Sequence, residues 1–276
     1  MEPLAWCRER MLVPGSSLAA SLPFAPADER DRILALRCVC SELAATLSRS
    51  GEAAVAGASL QWWDQALRDP NQSHPALLAM ASSGAWDRLR PDDFRDLLAG
   101  VAGSVQPSRF ERFAELWTLC RQVGGHEAAL EVRLLEGGEA VCEVFRELGG
   151  AHYLVRIVRD LVIDARANRW LVPLDFQADY QVARQDALEK SPSRAFSGLV
   201  RALLAEAIGR AQRAEAGLSQ ADRARQVHLL TQWGLDRRLA RCIDRRPERL
   251  FQERVAPGHW GNVWCAWRSA RAAVKA

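Results

Sequence analysis

Apolar residues recur at helical spacing along most of the chain. The plainest case begins near residue 28. Ile33, Leu34, Leu36, Cys40, Leu43 and Leu47 form one stripe there, and Asp28, Glu29 and Asp31 occupy a first turn where the helix dipole favours anions. The same reasoning predicts helices over 59–68, 76–86, 92–103, 110–136, 139–167, 194–217, 220–255 and 259–274. Their ends follow from punctuation. Gly51 to Gly57 reads as a break, Pro91-Asp92 and Pro107-Ser108 as starts, Gly149-Gly150 as a break or kink, and Pro247 and Pro257 as interruptions. Residues 1–25, carrying Pro3, Pro14, Gly15 and Pro23, are expected to be loop-rich, as is the stretch from Trp170 to Pro173. No repeat and no long linker divides the chain, so one domain over 1–276 is expected.

Composition agrees with an all-α fold. Hydrophobic residues make up 49% of the 276 positions, enough for a sizeable core, and only two Tyr are present among the strand-favouring types. The net charge of +3, from 37 basic and 34 acidic residues, is too balanced to imply nucleic-acid binding. The densest basic stretch, Arg237 to Arg249, is interrupted by Asp244 and Glu248 and reads as a solvated surface, with weak attraction to anionic lipid as the alternative. Seven Cys without a CxxC pair read as small buried hydrophobes in a reducing compartment. No signal pattern and no apolar run near the roughly 18 residues of a membrane span is visible, so a cytoplasmic protein is expected, peripheral to the inner membrane at most.

The segment richest in chemistry runs from Arg159 to Pro173. Asp160 and Asp164, at i and i+4, share one helix face with their Cβ atoms about 5–6 Å apart, a spacing at which two carboxylates can share Mg²⁺ ions that bind a diphosphate. The plainer reading of the same pair is a salt bridge with Arg156, Arg159 or Arg166. Trp62 and Trp63 read as core anchors rather than stacking platforms, and His152 as a satisfied core or rim histidine.

With its basic cluster and Trp170-Leu171-Val172-Pro173 exit, this segment resembles the RDxxxDxxxxRxxLP motif of the squalene/phytoene synthase family. The resemblance extends through Gly15-Ser16-Ser17-Leu18, Leu22-Pro23-Phe24, the helix Ala35 to Leu43, Leu60-Gln61-Trp62-Trp63-Asp64 with His74-Pro75, Phe94 to Gly100, and Leu119 to Gly125. It implies an isoprenoid synthase-type helical bundle around a central cavity, between the helices near 30–48 and 150–168. In such enzymes two aspartate-rich helices hold Mg²⁺ and condense prenyl diphosphates head to head.

Aligned through Glu42-Leu43, the three aspartates of the first motif fall on Ala44, Ala45 and Ser48, and the opening tyrosine of YCxxVAG is Leu119. Tyr153 and Arg156 stand where the second motif carries neutral amides. The resemblance therefore implies a pseudoenzyme with no cofactor. Ser17, Glu42, Tyr153, Arg156 and Arg159 are expected to line the cavity, and Asp160 and Asp164 are the diphosphate or metal candidates. Arg156, one turn before Asp160, is expected to pair with it in place of metal. Two roles without turnover follow: an isoprenoid or prenyl diphosphate binder, or an assembly-type protein with a client at the inner membrane, like the phytoene-synthase-like assembly factors of respiratory complex I. The alternative is an active Mg²⁺-dependent prenyltransferase working through Asp160 and Asp164.

Overall fold

A computed structural model describes residues 1–49, 53–69, 71–104 and 109–275, the side chains of 47–49 and 53 excepted. Leu47 and Ser48 as side chains, the start of the expected break at Gly51 and the start signal at Pro107-Ser108 thus lie outside the described residues, whereas the rest of that break, through Gly57, is helical. Among those described there is no β-strand. The chain runs α1 (Pro3–Met11), α2 (Ser17–Ser21), α3 (Arg30–Arg49), α4 (Ala53–Arg68), α5 (Pro75–Ser82), α6 (Arg95–Gly103), α7 (Phe113–Cys120) and α8 (His126–Leu134). It continues through α9 (Glu139–Arg166), α10 (Leu174–Tyr180), α11 (Arg194–Glu215), α12 (Gln220–Arg225), α13 (Val227–Arg245), α14 (Arg249–Gln252) and α15 (His259–Lys275).

Two apolar clusters share the interior. One gathers the inner faces of α9, α11 and α13 around Phe145, Leu154, Phe196 and Leu203. The other gathers α3, α5 and α6 around Ile33, Leu36, Met80 and Phe94. Tyr153 of α9 touches both. The 28-residue α9 is the spine, with α8, α11 and α13 packed around it.

The glycines of α9 do not break it. Helix α9 runs unbroken past Gly149 and Gly150; Gly149 is where another helical rod crosses at backbone distance, and Gly150 faces the Arg121 and Trp117 side chains of that rod. That rod is α7 and α8 joined by a π-helical turn over Arg121–Gly125. A Cβ on Gly149 would lie 2.2 Å from the Gly124 carbonyl oxygen, and one on Gly124 would lie 2.4 Å from that of Gly149. Neither contact can relax without separating two backbones.

The leading segment also differs from expectation. Pro3 and its neighbours begin α1, with the Glu2 carboxylate accepting from the Leu4 and Ala5 amides, and Ser16 caps α2 through the Ala19 amide. Proline at a first helical position is favoured because that amide has no intrahelical partner. The expected loop from Trp170 to Pro173 is present, and Pro173 caps the short helix α10, for which no helix was expected. Trp63 is buried as an anchor, whereas Trp62 is 46% exposed.

A Gly149→Ala variant should lose about 3 kcal/mol or more of stability through overpacking. Gly57 in α4 has open space around a Cβ, so Gly57→Ala should be neutral or gain up to about 1 kcal/mol. Urea unfolding of both variants beside the wild type measures the difference; equal midpoints would contradict the close crossing.

Candidate functional site

A cavity of about 420 Å³ opens between α1, α2, α3, α8, α9 and α13. Helix α3 contributes Arg37, Cys40, Ser41 and Ala44 to its wall, α9 contributes Arg156 and Arg159, and Arg254 reaches in from the segment after α14. Met11, Val13 and Leu18 supply an apolar side, and Arg10 and Ser17 complete the wall nearest the start of the chain. Against five arginines in the lining stands a single lining carboxylate, Glu127. A second cavity of about 250 Å³ shares Ser17, Arg156, Arg159 and Arg254, and adds Asp236 and Asn262.

Glu42, Glu127 and Asp160 are each engaged by arginine. Asp160 is held by two guanidinium groups at once. Arg159 donates to its two oxygens at 2.9 and 2.5 Å, and Arg254 donates to the same two at 2.7 and 2.9 Å. Burial pushes the Asp160 carboxyl up, but the bonds from Arg254 and Arg159 outweigh it and bring its pKa down to about 2. The expected partner, Arg156, is displaced from this role. It lies in the field of Glu127 and Asp236, carboxylates supplied by α8 and α13. Burial lowers the Arg156 pKa, and those two carboxylates oppose the shift.

Asp164 sits one turn further on, and its pKa is raised by burial and by neighbouring Asp160, with Arg169 opposing. Tyr153 does not reach the cavity. It lies between the two core clusters with its hydroxyl beside Arg169, and burial raises its pKa. Glu42 is buried and accepts from Arg10 at 2.7 and 3.1 Å, so it acts on the cavity through that arginine. Ser17, Arg156 and Arg159 stand in the lining itself.

From Arg37, Glu127 and Gln232 in the cavity wall a network runs into the core that helical spacing gave no means of finding. Arg37 is 5% exposed and donates to Glu131 at 2.7 Å, to Gln232 at 2.6 Å and to Glu127. Glu131 is also bonded to Nδ1 of His228, whose Nε2 is 3.0 Å from the Ser21 hydroxyl. A serine, a histidine and a carboxylate in this order are the parts of a nucleophilic relay. All three are fully buried, and the carboxylate is shared with Arg37, so no carbonyl substrate can approach the hydroxyl. The constellation is a polar strut between α2, α8 and α13.

A Mg²⁺ ion at Asp160 would have to compete with two arginines. Both Asp160 oxygens are committed to two arginines, and Ala44 offers no donor atom to the cavity. Mg²⁺ demands near-octahedral oxygen coordination. Among the described residues, no group of three or more His, Cys, Asp or Glu is placed to hold a metal ion.

Comparison with known proteins fits this architecture. The family model for squalene/phytoene synthase matches residues 13–261. The chain is 27% identical over 176 residues to phytoene synthase 3 of Zea mays, covering 60% of this chain and 41% of that protein. It is 24% identical over 209 residues to phytoene synthase 2 of Oryza sativa subsp. japonica, covering 71% and 52%. The chain thus spans about half the length of the curated relatives it matches. A solved dehydrosqualene synthase superposes with a TM-score of 0.84 at 17% identity, covering 99% of this chain and 96% of that one. The squalene synthase HpnC from Alicyclobacillus acidocaldarius superposes at 0.68 with 14% identity, covering 88% and 94%. At those identities the superpositions establish the all-α isoprenoid synthase fold. No helix of the described residues is long and apolar enough to cross a membrane.

The Asp160 clamp makes a pH prediction with a definite sign. A carboxyl whose pKa is lowered from 3.8 to about 2 on folding contributes stability that is present above about pH 4. That contribution is lost as pH falls through about 2, and at 21% side-chain exposure it amounts to at most about 2 kcal/mol. Asp160→Asn should therefore be less stable than the wild type at pH 6, with the gap closing by about pH 2. Urea melts of the two proteins across that range check it; a gap that does not change with pH would mean the clamp contributes nothing.

Proposed function

The chain belongs to the squalene/phytoene synthase family, and we propose that it is a member without condensing activity, which binds a prenyl diphosphate or a similar anionic isoprenoid through arginines instead of Mg²⁺. The observation that carries this reading is the double clamp on Asp160. The carboxylate that would serve a metal is neutralised by Arg159 and Arg254. Where the first motif would place carboxylates, Ala44 faces the cavity.

What remains is a pocket suited to anions. Arginine stays charged at every accessible pH, and its planar fork matches phosphate oxygens two at a time. Arg156, Arg159 and Arg254 share one region of wall, and Met11, Val13 and Leu18 provide apolar surface for the carbon end of an amphiphile. A volume of about 420 Å³ lies within the ordinary range of small-molecule sites. Of the two non-condensing roles open from the sequence, ligand binding is the one with a cavity of matching chemistry.

Titration calorimetry with farnesyl diphosphate is the test. Binding in EDTA should equal binding in Mg²⁺, and Arg254→Gln should weaken it about tenfold, the value of one charge-assisted contact. Diphosphate release from farnesyl or geranylgeranyl diphosphate should stay at background with Mg²⁺ present. Mg²⁺-dependent release that disappears in Asp160→Ala would instead establish an active transferase working through Asp160 and Asp164.

A further inference from the structure

The last helix is built inside out for a surface element. Its inner face carries small side chains, Ala266, Ala270 and Ala273, all buried. Its outer face carries the large ones. Trp260 is 82% exposed, Trp264 58% and Trp267 39%, with Val263 and Val274 beside them. Positions 260, 263, 264, 267, 271 and 274 fall within about 100° of one another on a helix, so they form a single stripe. Trp264 and Trp267 stack at 4.9 Å, and the Arg271 guanidinium lies 4.7 Å from the Trp267 ring centre. Left in water, three indoles on one stripe are an apolar patch without a partner.

Charge identifies the partner. Helix α15 carries Arg268, Arg271 and Lys275 and no acidic residue. On its flank, Trp264 and Arg268 share an open pocket of about 360 Å³ with Arg237, Arg238 and Arg241 of α13. A second copy of the chain docked through this stripe would set those cations against themselves, at a cost that like charges impose on any self-complementary face. Indole rings beside arginines instead match the boundary of a bilayer, where the ring lies among the upper acyl chains and the cations meet phosphate headgroups. We propose that the outer face of α15, with Arg241 and Arg268 at its edge, docks the protein onto the surface of an anionic phospholipid bilayer.

Sedimentation of the full chain with vesicles tests this, using phosphatidylcholine alone and phosphatidylcholine with about 30% phosphatidylglycerol. The wild type should bind the anionic vesicles, release them as salt is raised, and shift its tryptophan emission to the blue on binding. Replacing Trp260, Trp264 and Trp267 by Ala should lower the partition coefficient about tenfold or more. These side chains point outward, so the thermal midpoint should hold. Arg268→Gln with Arg271→Gln should weaken binding to the anionic vesicles and flatten its salt dependence. Trp62→Ala, which removes an exposed indole elsewhere, should leave partition unchanged. Partition of the triple variant equal to wild type, or no binding by the wild type, overturns the proposal. So does a wild-type dimer in light scattering that the triple variant dissolves while neither protein binds vesicles, which would make the stripe a self-interface.

Discussion

The architecture of the site hangs on one buried guanidinium. Arg37 enters from α3 and binds groups of α8 and α13 at once: Glu127, Glu131 and Gln232. Burial alone would lower its pKa, but the two glutamates raise it overall, and Glu131 is in turn brought to about 2 against its own burial by Arg37 and His228. Such a cluster is not a simple gain in stability, since desolvating three charges offsets much of their attraction. What it fixes is position. Removing one member strands the others in the core, so the three helices are constrained to meet at one register. Through His228 and Ser21 the constraint passes on to α2, which carries Ser17 at the cavity wall.

The sequence made the helices legible wherever a face had to be buried, because the apolar period is the physical cause of the burial. The failures have equally local causes. Gly149-Gly150 reads as a break only if glycine is weighed by propensity. Its role here is steric, and it depends on Gly124, a residue on another rod. Pro3 reads as loop punctuation, although proline fits a helix start as well as it fits a turn.

At the site, helical spacing placed Arg156, Asp160 and Asp164 on one face but could not say who binds whom. Arg254 is 94 residues from Asp160 along the chain. The carboxylates that attract Arg156 also sit on other helices, α8 and α13. A pairing rule restricted to one helix sees only the local candidates. Arg159, adjacent to Asp160, and Arg254, from across the fold, both reach it with bidentate geometry, which one helical turn of separation does not guarantee.

The clamp also bears on why an arginine pocket would bind a diphosphate without consuming it. A bridging Mg²⁺ stabilises the charge that develops on a departing diphosphate, which is the source of its catalytic effect. Arginines that hold the diphosphate as firmly before bond cleavage as during it contribute affinity, and uniform affinity leaves the barrier where it was. Asp160 adds a second restraint. It already occupies Arg159 and Arg254 as an internal anion, so a bound phosphate has to share those cations with it or draw them away. Arg254 is the one placed to move, with 60% of its side chain exposed against 19% for Arg159. On the proposed reading, part of the ligand's attraction is spent on parting Arg254 from Asp160 before any of it can act on the ligand's own bonds.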